Sequence, residues 1–178
     1  MLVLPTLKRF KKGYTLLELL VAIGLIGILS LVGIASYKRF NERQVVSRAA
    51  EEIRSYLRLA ADKAANNEKD CRLCGGSDND CQTFISGEDK VLAGWYVDLA
   101  SLEIYGRCGE GGDQVEFGRQ SIQTTGVDVA WEGANPIQFF PLNGGTNLTD
   151  PLLITIGHSS SFSFTLVVDP SGQISEQE

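Results

Sequence analysis

From residue 19 to residue 37 this chain has no charged side chain, and the residue just before that run is an acid, Glu18. A helix rises about 1.5 Å per residue, so the run covers most of a hydrocarbon core about 30 Å thick, which predicts a helix that enters a membrane. Glu18 then stands at the head of an apolar helix. There a carboxylate facing lipid costs about 2.5 to 3.5 kcal/mol and needs an opposite charge nearby. Four cations, Lys8, Arg9, Lys11 and Lys12, lie just ahead of it, followed by Gly13. A secretory signal puts its apolar run before a small-residue cleavage point. Here the small residue comes first, so cleavage after Gly13 leaves the hydrophobic helix on the mature chain.

The helical period continues beyond this run. Val46, Ala49, Ile53, Leu57, Ala60 and Ala64 recur at steps of three and four, while Arg48, Glu51, Glu52, Arg54, Arg58 and Asp62 take other faces. No proline occurs between Pro5 and Pro136, so one helix from residue 14 to about residue 66 is expected, apolar in its first half and amphipathic in its second. Asn66-Asn67 marks its end. Gly24, Gly27 and Gly33 weaken it locally and also let neighbouring helices approach closely. Downstream the pattern changes to short apolar runs at 91–99, 102–105, 115–117, 127–131, 137–140, 152–156 and 162–168, separated by Gly, Asn, Asp and Pro. Phe162, Phe164, Leu166 and Val168 alternate with smaller residues, Asp169-Pro170-Ser171-Gly172 suits a type I turn, and a strand resumes near Gln173-Ile174. The expected class is α+β, with the second half of a long N-terminal helix packed on a mostly antiparallel sheet.

The junction Lys11-Lys12-Gly13-Tyr14-Thr15-Leu16-Leu17-Glu18-Leu19-Leu20 resembles the type III signal of type IV prepilins and type II secretion pseudopilins. Its usual form is Gly, Phe, Thr, Leu, a large aliphatic and Glu, and Tyr14 replaces the phenylalanine. Many pilins also carry a proline around residue 33, which this chain lacks. The resemblance implies that a membrane aspartic peptidase cuts between Gly13 and Tyr14, that Tyr14 is N-methylated, and that Glu18 meets the free α-amino group of a neighbouring subunit during assembly. The remainder is similar, more diffusely, to the minor pseudopilin H (GspH/FimT-type) group. That likeness rests on the alanine- and arginine-rich second half of the helix, Gly94-Trp95-Tyr96-Val97, Ile137-Gln138-Phe139-Phe140-Pro141 leading to Gly144-Gly145, and the closing Gly172-Gln173-Ile174.

This likeness divides the chain into a leader (1–13), a transmembrane and filament-core half-helix (14–37), an amphipathic half-helix (38–67) and an extracytoplasmic β-rich domain (68–178). It implies a non-enzymatic minor subunit anchored in the inner membrane, with its leader in the cytoplasm. The implied partners are other pilin or pseudopilin subunits, the prepilin peptidase and an inner-membrane assembly platform driven by a separate ATPase. A major pilin, and an uncleaved membrane-anchored binding or enzymatic domain, are the rival readings. Charge counting does not orient the helix by itself, because Lys38, Arg39, Arg43 and Arg48 nearly balance the leader.

Cys71, Cys74, Cys81 and Cys108 fall on the expected outer side, where an even number of cysteines favours disulfides. Three connectivities are open. Tetrahedral zinc on the same four sulfurs is the alternative, weakened by the lack of a second close pair. Asp78 and Asp80 flank Asn79 without the spacing of a calcium loop and read as solvated. Gly157-His158-Ser159 lacks the second glycine of a nucleophile elbow and reads as a turn; no catalytic residue, cofactor or nucleotide loop is expected. Trp95 and Trp131 read as packing residues. Residues 68–178 hold five basic and seventeen acidic side chains, so nucleic acid is not an expected partner and any patch built on Arg107 and Arg119 is a minority feature.

Overall fold

The computed structural model describes residues 14–74, 90–109, 114–142, 144–158 and 162–177, and the side chains of residues 30–36 lie outside that description. A single helix, α1 (Leu16–Ala65), passes through Gly24, Gly27 and Gly33. Among the described residues eight strands follow: β1 (Leu92–Asp98), β2 (Glu103–Cys108), β3 (Val115–Ser121), β4 (Asp128–Glu132), β5 (Ile137–Phe139), β6 (Leu152–Gly157), β7 (Ser163–Val168) and β8 (Ile174–Gln177). Residues up to Asn41 form one unit and Glu42 onward a second.

In the second unit the helix presents the expected stripe. Val46, Ala49, Ile53, Leu57, Ala60 and Ala64 are buried, joined by Ala50. Each large apolar side chain among them contributes about 1.5 to 3 kcal/mol by leaving water. The four alanines keep the stripe shallow. The helix ends in a Schellman motif: Glu68 N–H donates to Lys63 O at 2.9 Å and Asn67 N–H to Ala64 O at 3.0 Å. Asn67 takes a left-handed φ of 52° there, a conformation asparagine tolerates better than other side-chain-bearing residues.

The strands form two antiparallel four-stranded sheets, ordered β3-β2-β1-β5 and β4-β6-β7-β8. The sequence led us to expect antiparallel pairing; the division into two sheets is a finding of the structure. Successive strands β4 and β5 part company, β4 pairing with β6 and β5 with β1. Trp95, Val97, Ile104, Phe117, Ile137 and Phe139 of the first sheet share one buried cluster with Leu152, Ile154, Ile156, Leu166 and Val168 of the second and with the helix stripe. Trp95 joins helix end to sheet: its indole N–H donates to Glu68 O at 2.8 Å, Lys63 Nζ lies 4.7 Å from the ring centroid, and Phe117 meets it edge-on at 5.4 Å. Between β7 and β8 the expected turn is present, with Gly172 N–H donating to Asp169 O at 2.8 Å.

Candidate functional site

Two features of this chain have functional character, and the first is the start of α1. Thr15 is its N-cap: Glu18 N–H donates to Thr15 Oγ1 at 3.2 Å, which satisfies one of the amide donors a helix start leaves open. Glu18 thus sits in the first turn, where the partial positive charge of the helix terminus favours a carboxylate. Around and after it the apolar side chains face outward: Tyr14 is 80% exposed, Leu16 77% and Leu29 72%. Leu19, Leu20, Val21, Ile23, Leu25, Ile26 and Ile28 are exposed as well. A helix apolar on all sides is stable only when something covers it, either lipid or other helices. Among the described residues no helix is long and apolar enough to cross a membrane; the expected span, 19–37, includes residues 30–36, whose side chains are not described. Gly13 and the four leader cations also lie outside the described residues.

The second feature is the bridged start of the β domain. After the Schellman turn, Asp70 Oδ1 accepts from Arg72 N–H at 3.0 Å and Leu73 N–H at 3.3 Å, and Cys74 N–H donates to Asp70 O at 2.8 Å. This tight turn presents Cys74 to Cys108, the last residue of β2, and the two form a disulfide with Cα atoms 5.7 Å apart. Both are buried. Lys90 N–H donates to Cys74 O at 2.9 Å, so the chain on either side of residues 75–89 is pinned to one point. Cys71 is disulfide-bonded as well, and Cys81 lies outside the described residues. The Cys74–Cys108 bond uses two of the four thiolates that a zinc site would need, and among the described residues no cluster of three potential metal ligands occurs. Asp78 and Asp80 also lie outside the described residues.

The remaining candidates resolve into architecture. His158 follows β6 in the hairpin to β7, whose register pairs Gly157 with Ser163, and is half-buried. Trp95 is core; Trp131, on edge strand β4, is half-buried against the same cluster.

Sequence reasoning missed a charged aromatic face on the first sheet. Tyr96 and Tyr105 are cross-strand partners and stack at 5.5 Å; Arg107 lies 4.8 Å from the Tyr96 ring and 5.0 Å from the Tyr105 ring, and Arg119 covers Tyr105 at 4.9 Å. Both arginines are paired with acids. Arg107 bonds Glu116 at 2.6 Å, and Arg119 bonds both Glu116 and Glu103. The Arg107 hydrogen bond holds the Glu116 carboxyl below the usual carboxylate range, and burial pushes both tyrosines up. Period-two alternation across β2 and β3 was the available signal, but the strand-to-strand register that joins Arg107 to Glu116 is not written locally.

With this geometry in view, comparison with known proteins is informative. A prokaryotic N-terminal methylation motif matches residues 8–34, and the type II transport protein GspH family model matches residues 49–172. A Pseudomonas aeruginosa protein named fimbrial protein is 38% identical over 82 residues, covering 46% of this chain and 52% of its own length. From Dichelobacter nodosus, a type IV major fimbrial protein FimA is 33% identical over 75 residues (42% and 43% of the two chains), and a probable minor fimbrial protein is 31% identical over 79 residues (44% and 48%). The chain spans about half the length of the curated relatives it matches. No solved structure matches it. The matched stretch from residue 49 to residue 172 takes in the buried second half of α1 and all the strands up to β7, and on that coverage the chain belongs to the GspH family of type II transport proteins.

Proposed function

We propose that this protein is a non-enzymatic minor subunit of a type II secretion or type IV pilus filament. The observation that carries this is a methylation motif over residues 8–34 that takes in the capped start of a helix whose described apolar side chains there are exposed. In this reading prepilin peptidase removes residues 1–13, Tyr14 becomes the methylated first residue, and the helix is held in the inner membrane with the leader side in the cytoplasm until an assembly platform moves it into a fibre. Glu18 is then offset by the α-amino group of a neighbour's Tyr14, which lowers the cost of a carboxylate among apolar helices. Cys71 and Cys81 form the second bridge, the pairing left once Cys74 and Cys108 are joined.

The N-terminal peptide of the natural protein tests processing. Mass spectrometry is expected to find it starting at methylated Tyr14; a chain that still carries residues 1–13 would refute it. Glu18→Ala is expected to leave leader removal intact and to lower incorporation into fibres about tenfold or more, the loss of an ion pair in a low-dielectric setting. A second reading, the bulk subunit of a fibre, is favoured by the relatives named as major fimbrial proteins. Abundance in sheared fibres separates the two: a minor subunit is scarce there.

A further inference from the structure

The second sheet ends on β8, and among the described residues no strand lies beside its outer edge. In the β7–β8 hairpin Asp169 N–H donates to Gln173 O at 2.9 Å, which makes these residues a hydrogen-bonded pair. Antiparallel pairs alternate, so Val168 with Ile174 and Leu166 with Glu176 are non-hydrogen-bonded pairs. The backbone N–H and C=O groups of Ile174 and Glu176 therefore point away from β7, leaving two donors and two acceptors along the open edge. Both edges of the first sheet are guarded: β3 carries the Glu116–Arg119 pair, and Thr146 bridges to Phe139 beside β5.

A groove of about 420 Å³ opens at the start of β8, lined by Arg58, Ala61 and Asp62 of the helix and by 172–174 of the hairpin. It adjoins a second hollow of about 400 Å³ further along the helix, and Arg58 and Asp62 line both. Among the described residues neither of these two charged side chains has an ion pair or hydrogen bond, although they stand one helical turn apart. Arg54, in the second hollow, is bonded to Glu176 but keeps a buried Nε without a partner. Arg54 lies by Glu176, and Arg58 with Asp62 lies by 172–174, so helix and strand run side by side in opposite directions. Four helical residues rise about 6 Å and two strand residues about 6.8 Å. A strand laid along β8 would thus place side chains two positions apart opposite Arg58 and Asp62.

We propose that this edge binds an extended segment of another protein, added as a fifth strand, with an acidic and a basic residue two positions apart on its helix-facing side. The acid meets Arg58 and the base meets Asp62, while Ile174 and Ala61 provide the apolar wall. This goes beyond helix-driven assembly and requires neither leader removal nor lipid.

The test uses the full chain in detergent with three fluorescein-labelled probes, the capped pentapeptides Val-Glu-Val-Lys-Val, Val-Lys-Val-Glu-Val and Val-Ser-Val-Ser-Val, read by anisotropy. One charged order is expected to bind about tenfold tighter than the serine peptide. Glu176→Pro removes an outward-facing N–H together with the carboxylate bonded to Arg54, whereas Glu176→Ala removes the carboxylate alone, so the first should abolish binding while the second retains it, with both unfolding midpoints within a few degrees of the parent. Arg58→Glu should bring the charged probe to the level of the serine probe. Equal affinity for all three peptides, no binding by any, unchanged binding to the proline variant, or a concentration-dependent dimer that the proline variant loses would each overturn the proposal, the last by giving the edge to a second copy of this chain.

Discussion

Gly106 leaves no space for a methyl group: a Cβ there would sit 2.4 Å from Cζ of Phe117 and within 3 Å of two further ring atoms. The tip of the ring lies over the glycine on the neighbouring strand, its register partner, and the ring packs edge-to-face with Trp95. The absence of a side chain on β2 is therefore what lets two aromatic rings fill the core under the helix end. Gly106→Ala is expected to lower unfolding free energy by about 1 to 3 kcal/mol, the cost of overpacking a well-filled interior, measured by urea denaturation. A change below about 0.5 kcal/mol would show that Phe117 moves aside freely. Gly94 serves a related purpose in the β1 bulge, where a Cβ would meet Phe139 O at 2.6 Å and φ is 153°.

Among the elements, α1 has the most defined ends. Its C-terminus depends on the left-handed Asn67, so Asn67→Gly should hold or raise stability, whereas Asn67→Val should lower it by about 1 to 2 kcal/mol through steric strain. Thermal unfolding of the two variants side by side is the measurement; equal midpoints would argue that the Schellman turn carries no energy here. The β2–β3 ladder gives a pH dependence. Glu116 is held below its ordinary value of 4.5, chiefly by its hydrogen bond from Arg107, so its contribution is fully present only above that ordinary value and fades as pH falls through the depressed one. Denaturation midpoints should therefore drop between pH 5 and pH 2, and Glu116→Gln should flatten part of that slope. Much of this element level was legible in the chain: the stripe from Val46 to Ala64 and the strand centres are local periodicities, and the described strands contain or overlap every predicted run. What was not legible is non-local. Nothing near Asp128 or Ile137 states that one strand joins β6 and the other β1, because pairing is decided by the whole core.

At the scale of the molecule the same limit applies to the candidate site. The leader junction is a contiguous motif, so Gly13, Tyr14 and Glu18 could be named from sequence alone, and the methylation motif matched there covers all three. The cysteines could be counted but not paired, since three connectivities satisfied the sequence and only folding brings Cys74 to the end of β2. The acidic balance of 68–178 was readable, but the neutral cluster of Arg107 and Arg119 with Glu116 and Glu103 depended on strand register. In the proposed filament role the Cys74–Cys108 bond has a further consequence, because a filament component is exposed to tension. It short-circuits a 34-residue segment that contains β1 and β2. Pulled from its ends to full extension, the oxidised chain should come up about 110 Å shorter than the reduced one, since stretched polypeptide spans about 3.4 Å per residue. Optical tweezers with and without a reductant would read that difference as slack withheld from any load the fibre transmits.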